Sequence, residues 1–205
     1  MSTAGPTIHI VDDDASFLAA TSRLLRASGF AVKTFASASE FLAEHDVEAA
    51  GCAVVDLQMP GLNGLDLQSA LGRTRNPLPV IFLTGQGDIP MSVRAMREGA
   101  EDFLTKTAPK AALLHAIQRA LARDAREREE RARRREVCAR FEKLTERERE
   151  VLGHVVRGRL NKQIAGDLGV HERTVKLHRT SITTKLRAPS VAELTRLAHE
   201  AGLLP

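Results

Sequence analysis

"TIHIVDDDAS" occupies residues 7–16, and the reading of the N-terminal half turns on it. Ile8, Ile10 and Val11 make a short apolar run. Three carboxylates, Asp12, Asp13 and Asp14, stand directly behind it. A brief apolar run that stops abruptly in charge reads as a buried strand surfacing at one edge of a sheet. Adjacent carboxylates repel one another, and burying any of them unpaired is costly. That edge therefore has to hold positive charge.

The same pattern recurs downstream. "AVKTF" (31–35), "CAVVD" (52–56), "PVIFLT" (79–84) and "EDFLT" (101–105) read as further strands. Amphipathic stretches at 15–28, 38–44, 64–73 and 88–98 separate them, and another begins at Pro109, a residue suited to a first helical turn. Strand–helix alternation at this spacing predicts an α/β fold, a parallel sheet covered on both faces. In such a sheet the chemistry gathers at the carboxyl ends of the strands. Asp12 and Asp13 end the first strand, Asp56 the third and Thr84 the fourth, while Lys106 follows the fifth. Three hard oxygen ligands on one edge suit Mg²⁺, which also relieves their repulsion. Asp14 falls outside the cluster, as a candidate N-cap for the first helix.

Charge divides the chain. Residues 1–118 carry net −4, residues 119–139 net +3 and residues 140–205 net +5. An acidic front and a basic back predict two domains, the second facing a polyanion. Cys52 and Cys138 lie far apart without metal-ligand spacing and read as reduced thiols. No apolar run has the length of a membrane helix, and the first residues lack a signal-peptide pattern, so a soluble, cytoplasmic protein is expected. "RDAREREERARRRE" (123–136) has almost no apolar side chain and no Gly or Pro. It reads as a solvated helical linker.

Beyond Phe141 the pattern is helical throughout. "TERE" (145–148) is a capping box, and Gly158 ends the helix it opens. Asn161 is placed to cap a short helix that Gly169 breaks. A longer helix follows over 172–187, and "SVAE" (190–193) is a second capping box.

"VDDD", "VVDLQMPGLNG" and "FLTGQGDIPMSVRAMREGAEDFLTK" together resemble the receiver domain of bacterial two-component response regulators. The resemblance implies a flavodoxin-like, doubly wound five-stranded parallel sheet with Asp56 as phospho-acceptor. It implies that Asp13, Asp56 and the backbone carbonyl of Gln58 bind Mg²⁺, with Asp12 assisting. Thr84 and Lys106 would hold the phosphoryl oxygens, and Phe103 would be the switch aromatic. A metal and an ammonium are what an anionic nucleophile needs to approach an anionic phosphoryl group. One departure is Thr107, where receivers usually carry a proline after the lysine. A cis bond before a non-proline residue costs roughly 3 kcal/mol, so the placement of Lys106 is the point to inspect. "DDDAS" also fits the opening of haloacid-dehalogenase-type phosphatases. "EDFLTKTAPKAA" lacks the further acidic pair that family needs, and the protein is not expected to be an enzyme of that kind.

"LTERE", "NKQIA", "TVKLH" and the "KL" at 185–186 resemble a LuxR-type helix-turn-helix, the output domain of FixJ/NarL-like regulators. On the long helix, Val175, Ile182 and Leu186 form one inward stripe. Lys176, Leu177, Thr180 and Thr184 lie away from it, placed for base edges in the major groove. Arg173, His178, Arg179 and Lys185 are placed for phosphates, with Asn161 and Lys162 beside the DNA backbone. His171 stands where the family commonly has a capping serine, and histidine caps poorly.

The expected organisation is a receiver domain at 1–120, a charged helical linker at 121–140 and a DNA-binding domain at 141–205. The expected function is a phosphorylation-controlled transcriptional regulator. Its partners would be a sensor histidine kinase, double-stranded promoter DNA, a second copy of itself and RNA polymerase. The competing reading is a phosphorylation-independent DNA binder whose receiver only dimerises. The final receiver helix is expected to run past residue 130 as a stiff rod.

Overall fold

The computed structural model describes residues 5–85 and 89–203, apart from the side chain of Ile89. The chain divides into two compact units, residues 1–128 and 129–205.

The first unit alternates strand and helix. Strands β1 (Thr7–Val11), β2 (Ala31–Phe35), β3 (Gly51–Asp56), β4 (Val80–Thr84) and β5 (Asp102–Thr105) pair in parallel, in the order β2-β1-β3-β4-β5. Between them run α1 (Ala15–Ala27), α2 (Ala38–Glu44), α3 (Gly64–Gly72) and α4 (Ile89–Arg97), and α5 (Lys110–Glu142) follows β5. Asp88, the expected first residue of α4, lies outside the described residues. Each expected strand and helix is present, with ends shifted by a residue or two.

The alternation along each strand builds two cores. Ile8, Ile10, Val54, Ile81 and Leu83 pack on one face with Leu25 of α1 and Leu113 and Ile117 of α5. Val11, Val55 and Phe82 pack on the other with Phe41 of α2 and Leu67 and Leu71 of α3. Central strands buried on both faces are why β3 and β4 read as continuous apolar runs rather than alternating ones.

The charged stretch at 123–136 is helical and mostly exposed, as expected, with one exception. Asp124 is 1% exposed. Its Oδ2 accepts from the Gly51 N–H at 2.9 Å, and Arg128 Nε donates to the same carboxylate at 2.8 Å. Arg128 also donates to the carbonyls of Glu48 and Ala49. Gly51 has to be glycine where β3 meets β1, since a Cβ there would lie 1.9 Å from the Thr7 carbonyl oxygen. A buried carboxylate with a charged donor and a backbone donor is satisfied rather than costly.

The second unit contains the end of α5, then α6 (Glu146–Val156), α7 (Asn161–Leu168), α8 (Glu172–Leu186) and α9 (Val191–Glu200). Val137, Phe141, Val151, Leu152, Ile164, Val175, Ile182, Leu186, Leu194 and Leu197 form its core. The expected inward stripe of α8 is buried: Val175 0%, Ile182 1% and Leu186 0% exposed. Gly158 and Gly169 take the left-handed conformation that ends α6 and α7, with φ of 76° and 65°.

Two caps differ from expectation. Leu160, not Asn161, is the N-cap of α7, and its N–H is satisfied by Gln163 Oε1 at 2.9 Å. Asn161 is drawn away because its Oδ1 accepts from Arg179 Nη1 at 3.0 Å. Ser190 caps α9 through the Glu193 N–H, but the Glu193 carboxylate turns to Arg196 instead of closing the box. The box at Thr145 and Glu148 closes in both directions. His171 caps α8 with no side-chain hydrogen bond.

Candidate functional site

The carboxyl edge of the sheet gathers the predicted acidic cluster. Oxygens of Asp12, Asp13 and Asp56 lie within 4.8 Å of one another. Asp12 and Asp56 are buried at 1% and 7% exposed, while Asp13 faces solvent. β1 and β3 are adjacent in the sheet, which is why their terminal carboxylates meet. Lys106 arrives from the end of β5. Its Nζ lies 2.7 Å from Asp12 Oδ2 and 2.9 Å from Asp56 Oδ2. Its backbone N–H donates to the Thr84 carbonyl at 2.8 Å, so β4 fixes where the lysine leaves the sheet. Among the described residues no peptide bond is cis, and Thr107 in place of proline does not keep Lys106 from the site.

The electrostatics follow from that crowding. Burial pushes the Asp12 carboxyl above its usual range, against the opposing pull of Lys106 and the Asp14 N–H. Burial works to lower the Lys106 ammonium, but hydrogen bonds to Asp12 and Asp56 outweigh it and hold it above its ordinary value. A single ammonium facing three carboxylates leaves the edge short of positive charge. Oxygens this close suit one small, hard cation.

The surrounding residues hold Asp56 in place. The Gln58 N–H reaches Asp56 Oδ1 at 3.3 Å. Gly64 backs the site, since a Cβ there would lie 2.5 Å from the Asp56 carbonyl oxygen and 2.9 Å from the Phe82 ring. Thr84 is buried at the end of β4. Phe103 is only partly buried, its ring 6.2 Å from that of Phe82. Asp14 caps α1, its Oδ1 accepting from the N–H groups of Ser16 and Phe17. Phe17 was not anticipated: its ring lies under Lys106, with Nζ 4.6 Å from the centroid. In sequence it reads as one more apolar residue on α1.

In the second unit, α8 presents a polar outer face. Arg173, Lys176, Thr180 and Thr184 are exposed there, and Leu177 is 65% exposed. His178 is half-buried. Asn161 and Arg179 are joined by their hydrogen bond, with Lys162 exposed beside them. Lys185 has an unforeseen partner. Its ammonium sits on the buried carboxylate of Glu148, 2.7 Å from Oε2. The Lys185 side chain remains 32% exposed, so it is paired inside the unit while still reaching its surface.

Two family descriptions match the chain: the response regulator receiver domain over residues 8–118, and the luxR family of bacterial regulatory proteins over residues 142–198. Response regulator protein TodT of Pseudomonas putida is 42% identical over 199 residues, covering 97% of this chain and 88% of the relative. Transcriptional regulatory protein FixJ of Rhizobium meliloti is 39% identical, covering 97% of this chain and 98% of the relative. Among solved structures, the response regulator StyR superposes with a TM-score of 0.86 at 45% identity, over 96% of this chain and all of that one. Full-length FixJ from B. japonicum superposes at 0.59 with 35% identity, over 99% and 100%. The chain belongs to the two-component response regulators, with a receiver domain followed by a LuxR-type DNA-binding domain, and is a transcriptional regulator.

Proposed function

We propose that this regulator is controlled by phosphorylation of Asp56. The observation that carries the reading is the Lys106 ammonium held between Asp12 and Asp56 at the carboxyl edge of the sheet. A carboxylate attacks a phosphoryl group poorly because both are anionic. Lys106 offsets that repulsion, and the Gln58 N–H orients one Asp56 oxygen, leaving positioning and electrostatics to do most of the work. Asp12, Asp13 and Asp56, with the Gln58 carbonyl, would hold Mg²⁺. The ion would supply the divalent charge that neutralises the phosphoryl oxygens. Thr84 and Lys106 then hold those oxygens, and Phe103, only partly buried, turns inward as Thr84 moves. A sensor histidine kinase is the phosphoryl source.

The face that changes is built from α4, β5 and the start of α5. It exposes Val93 and Met96, at 44% and 47%, beside the Arg119 ion pairs to Glu101 and Asp102. A second copy of the chain pairs on this face, which links two DNA half-sites into one binding event. On promoter DNA, α8 enters the major groove with Lys176, Leu177, Thr180 and Thr184 at base edges, and Arg173, Arg179, Asn161 and Lys162 flanking them.

The test is labelling by acetyl phosphate with Mg²⁺, followed by footprinting. Stable labelling that Asp56→Asn abolishes, together with tighter DNA binding, is the expected result. DNA binding at full strength in Asp56→Asn would favour the phosphorylation-independent reading, and continuous turnover of the phosphodonor a phosphatase.

A further inference from the structure

Lys106 has a long, flexible stem, and two carboxylates on one side of it do not fix where the ammonium rests. The loop that carries it is pinned through its backbone. The Lys106 N–H donates to Thr84, the Ala108 N–H donates to the Thr105 carbonyl at 2.9 Å, and the hydroxyls of Thr105 and Thr107 meet at 3.2 Å. None of these touches the side chain. Among the described residues, the one group that supports the ammonium from outside the acidic cluster is the Phe17 ring, 4.6 Å from Nζ. An aromatic face attracts a cation and, unlike a carboxylate, does not compete for its protons.

Phe17 is itself held by the third aspartate of the opening run. Asp14 Oδ1 accepts from the Phe17 N–H at 3.1 Å and the Ser16 N–H at 2.8 Å, which sets the first turn of α1. The Asp14 N–H donates in turn to Asp12 Oδ1 at 2.9 Å. The contacts close a ring: Asp12 to Asp14, Asp14 to Phe17, Phe17 to Lys106, and Lys106 back to Asp12. We propose that Phe17 is a positioning residue for Lys106, and that Asp14 acts on the same ammonium through Phe17. The three adjacent aspartates then divide their work: two face the cation site, and the third aims the lysine that shares it. The functional half of this inference rests on Asp56 as phosphoryl acceptor; the geometric half does not.

The experiment on the full chain has two arms. In the first, the Lys106 ε-methylene protons are followed by NMR. Ring shielding should move them upfield in the wild type, and Phe17→Leu should return them to the ordinary lysine position. Identical shifts in both proteins would overturn the inference. Asp14→Ala should weaken the shielding, and Asp14→Ser, which still caps, should restore it. In the second, acetyl phosphate labels a series in which Phe17 is replaced by progressively fluorinated phenylalanines. Ring shape is nearly constant along the series while the face loses its negative character. The labelling rate should fall by about fivefold across it, the factor that roughly 1 kcal/mol of cation–π attraction represents. A flat series, or rates that follow the melting temperature instead, would show that Phe17 only packs. A wild type that shows the shielding but takes no label would refute the Asp56 reading and leave the placement of Lys106 standing.

Discussion

Glu148 and Lys185 stand 37 positions apart and form one partly buried ion pair, with Lys185 Nζ 2.9 Å from Glu148 Oε1 and 2.7 Å from Oε2. Glu148 also accepts from the Ser181 hydroxyl and the Thr145 N–H, so it ties α6 to α8 while completing the cap of α6.

Removing either partner should therefore cost stability rather than DNA affinity. Lys185→Ala leaves Glu148 buried without its charged donor, and the expected loss is about 1–3 kcal/mol. Burial raises the Glu148 carboxyl, but Lys185, Ser181 and the Thr145 N–H outweigh it and hold it at about 2. A depressed carboxylate stabilises the fold above its unfolded value, 4.5, and that contribution fades as the pH falls toward 2. Urea unfolding of the full chain should show the variant less stable at pH 7, with the gap narrowing below pH 4. At a temperature where both are folded, the salt dependence of DNA binding should match the wild type. A flattened salt slope would place Lys185 among the phosphate contacts.

The outward face of α8 makes the opposite prediction. Lys176→Ala should weaken specific binding by roughly 1–3 kcal/mol and relax the preference at one base position, as loss of a bidentate contact does. Leu177→Ala should relax preference where the site carries a thymine methyl. Selection of DNA sites from a random pool reads both. An unchanged consensus for both variants would remove α8 from the major groove.

Gly64 lies under Asp56. Gly64→Ala places a methyl against the Asp56 carbonyl and the Phe82 ring, and backbone has to move. A cost of about 1–3 kcal/mol is expected, the usual range for overpacking. Because the strain falls on Asp56, labelling by acetyl phosphate should slow as well. Undiminished labelling in a destabilised variant would show that β3 absorbs the shift elsewhere.

How much of this was legible beforehand depended on sequence distance. Asp12, Asp56 and Thr84 could be placed because each ends an apolar run, and a parallel sheet aligns such ends. Lys106 followed from the fifth run. Asp124 was misread because a carboxylate inside a charge run looks solvated, and nothing local announces Gly51 as its partner. The Lys185–Glu148 pair was missed for the same reason, since Glu148 had already been assigned to a cap. Asn161 was assigned to a cap because its neighbours fit one, while Arg179 on the next helix claimed its side chain. Phe17 looked like core. Long-range pairings of polar groups leave no periodicity to read.

His9 gives a pH prediction. It is buried on β1 against Phe35, Phe41 and His45, and among the described residues neither ring nitrogen has a hydrogen-bond partner. Burial, with His45 and Lys33 nearby, lowers it to about 4 from its ordinary 6.5. The unfolded chain thus binds a proton that the folded one refuses between these values, and stability falls as the pH drops from 6.5 toward 4. The full loss is on the order of 3 kcal/mol. His45 is lowered chiefly by burial, while Asp46 opposes the shift and Arg128 and Lys33 add to it. Urea midpoints between pH 4.5 and 7.5 should slope in the wild type and slope less in His9→Leu, where the contribution of His45 remains. Parallel slopes would mean the acid sensitivity lies elsewhere.

The Asp124 clasp on Gly51 has a consequence for chain length. Lys106 is fixed at the carboxyl edge of the sheet, and Asp124 is fixed where β3 begins, at the opposite edge. The stretch between them works as a ruler. Each residue added to or removed from α5 ahead of Asp124 turns its carboxylate by about 100° around the helix axis, off the Gly51 amide, and turns Arg128 on the same helix off the Glu48 and Ala49 carbonyls. Insertions that a surface helix would ordinarily tolerate are forbidden here by phase, so this part of α5 is fixed in length even where its exposed residues are free to vary.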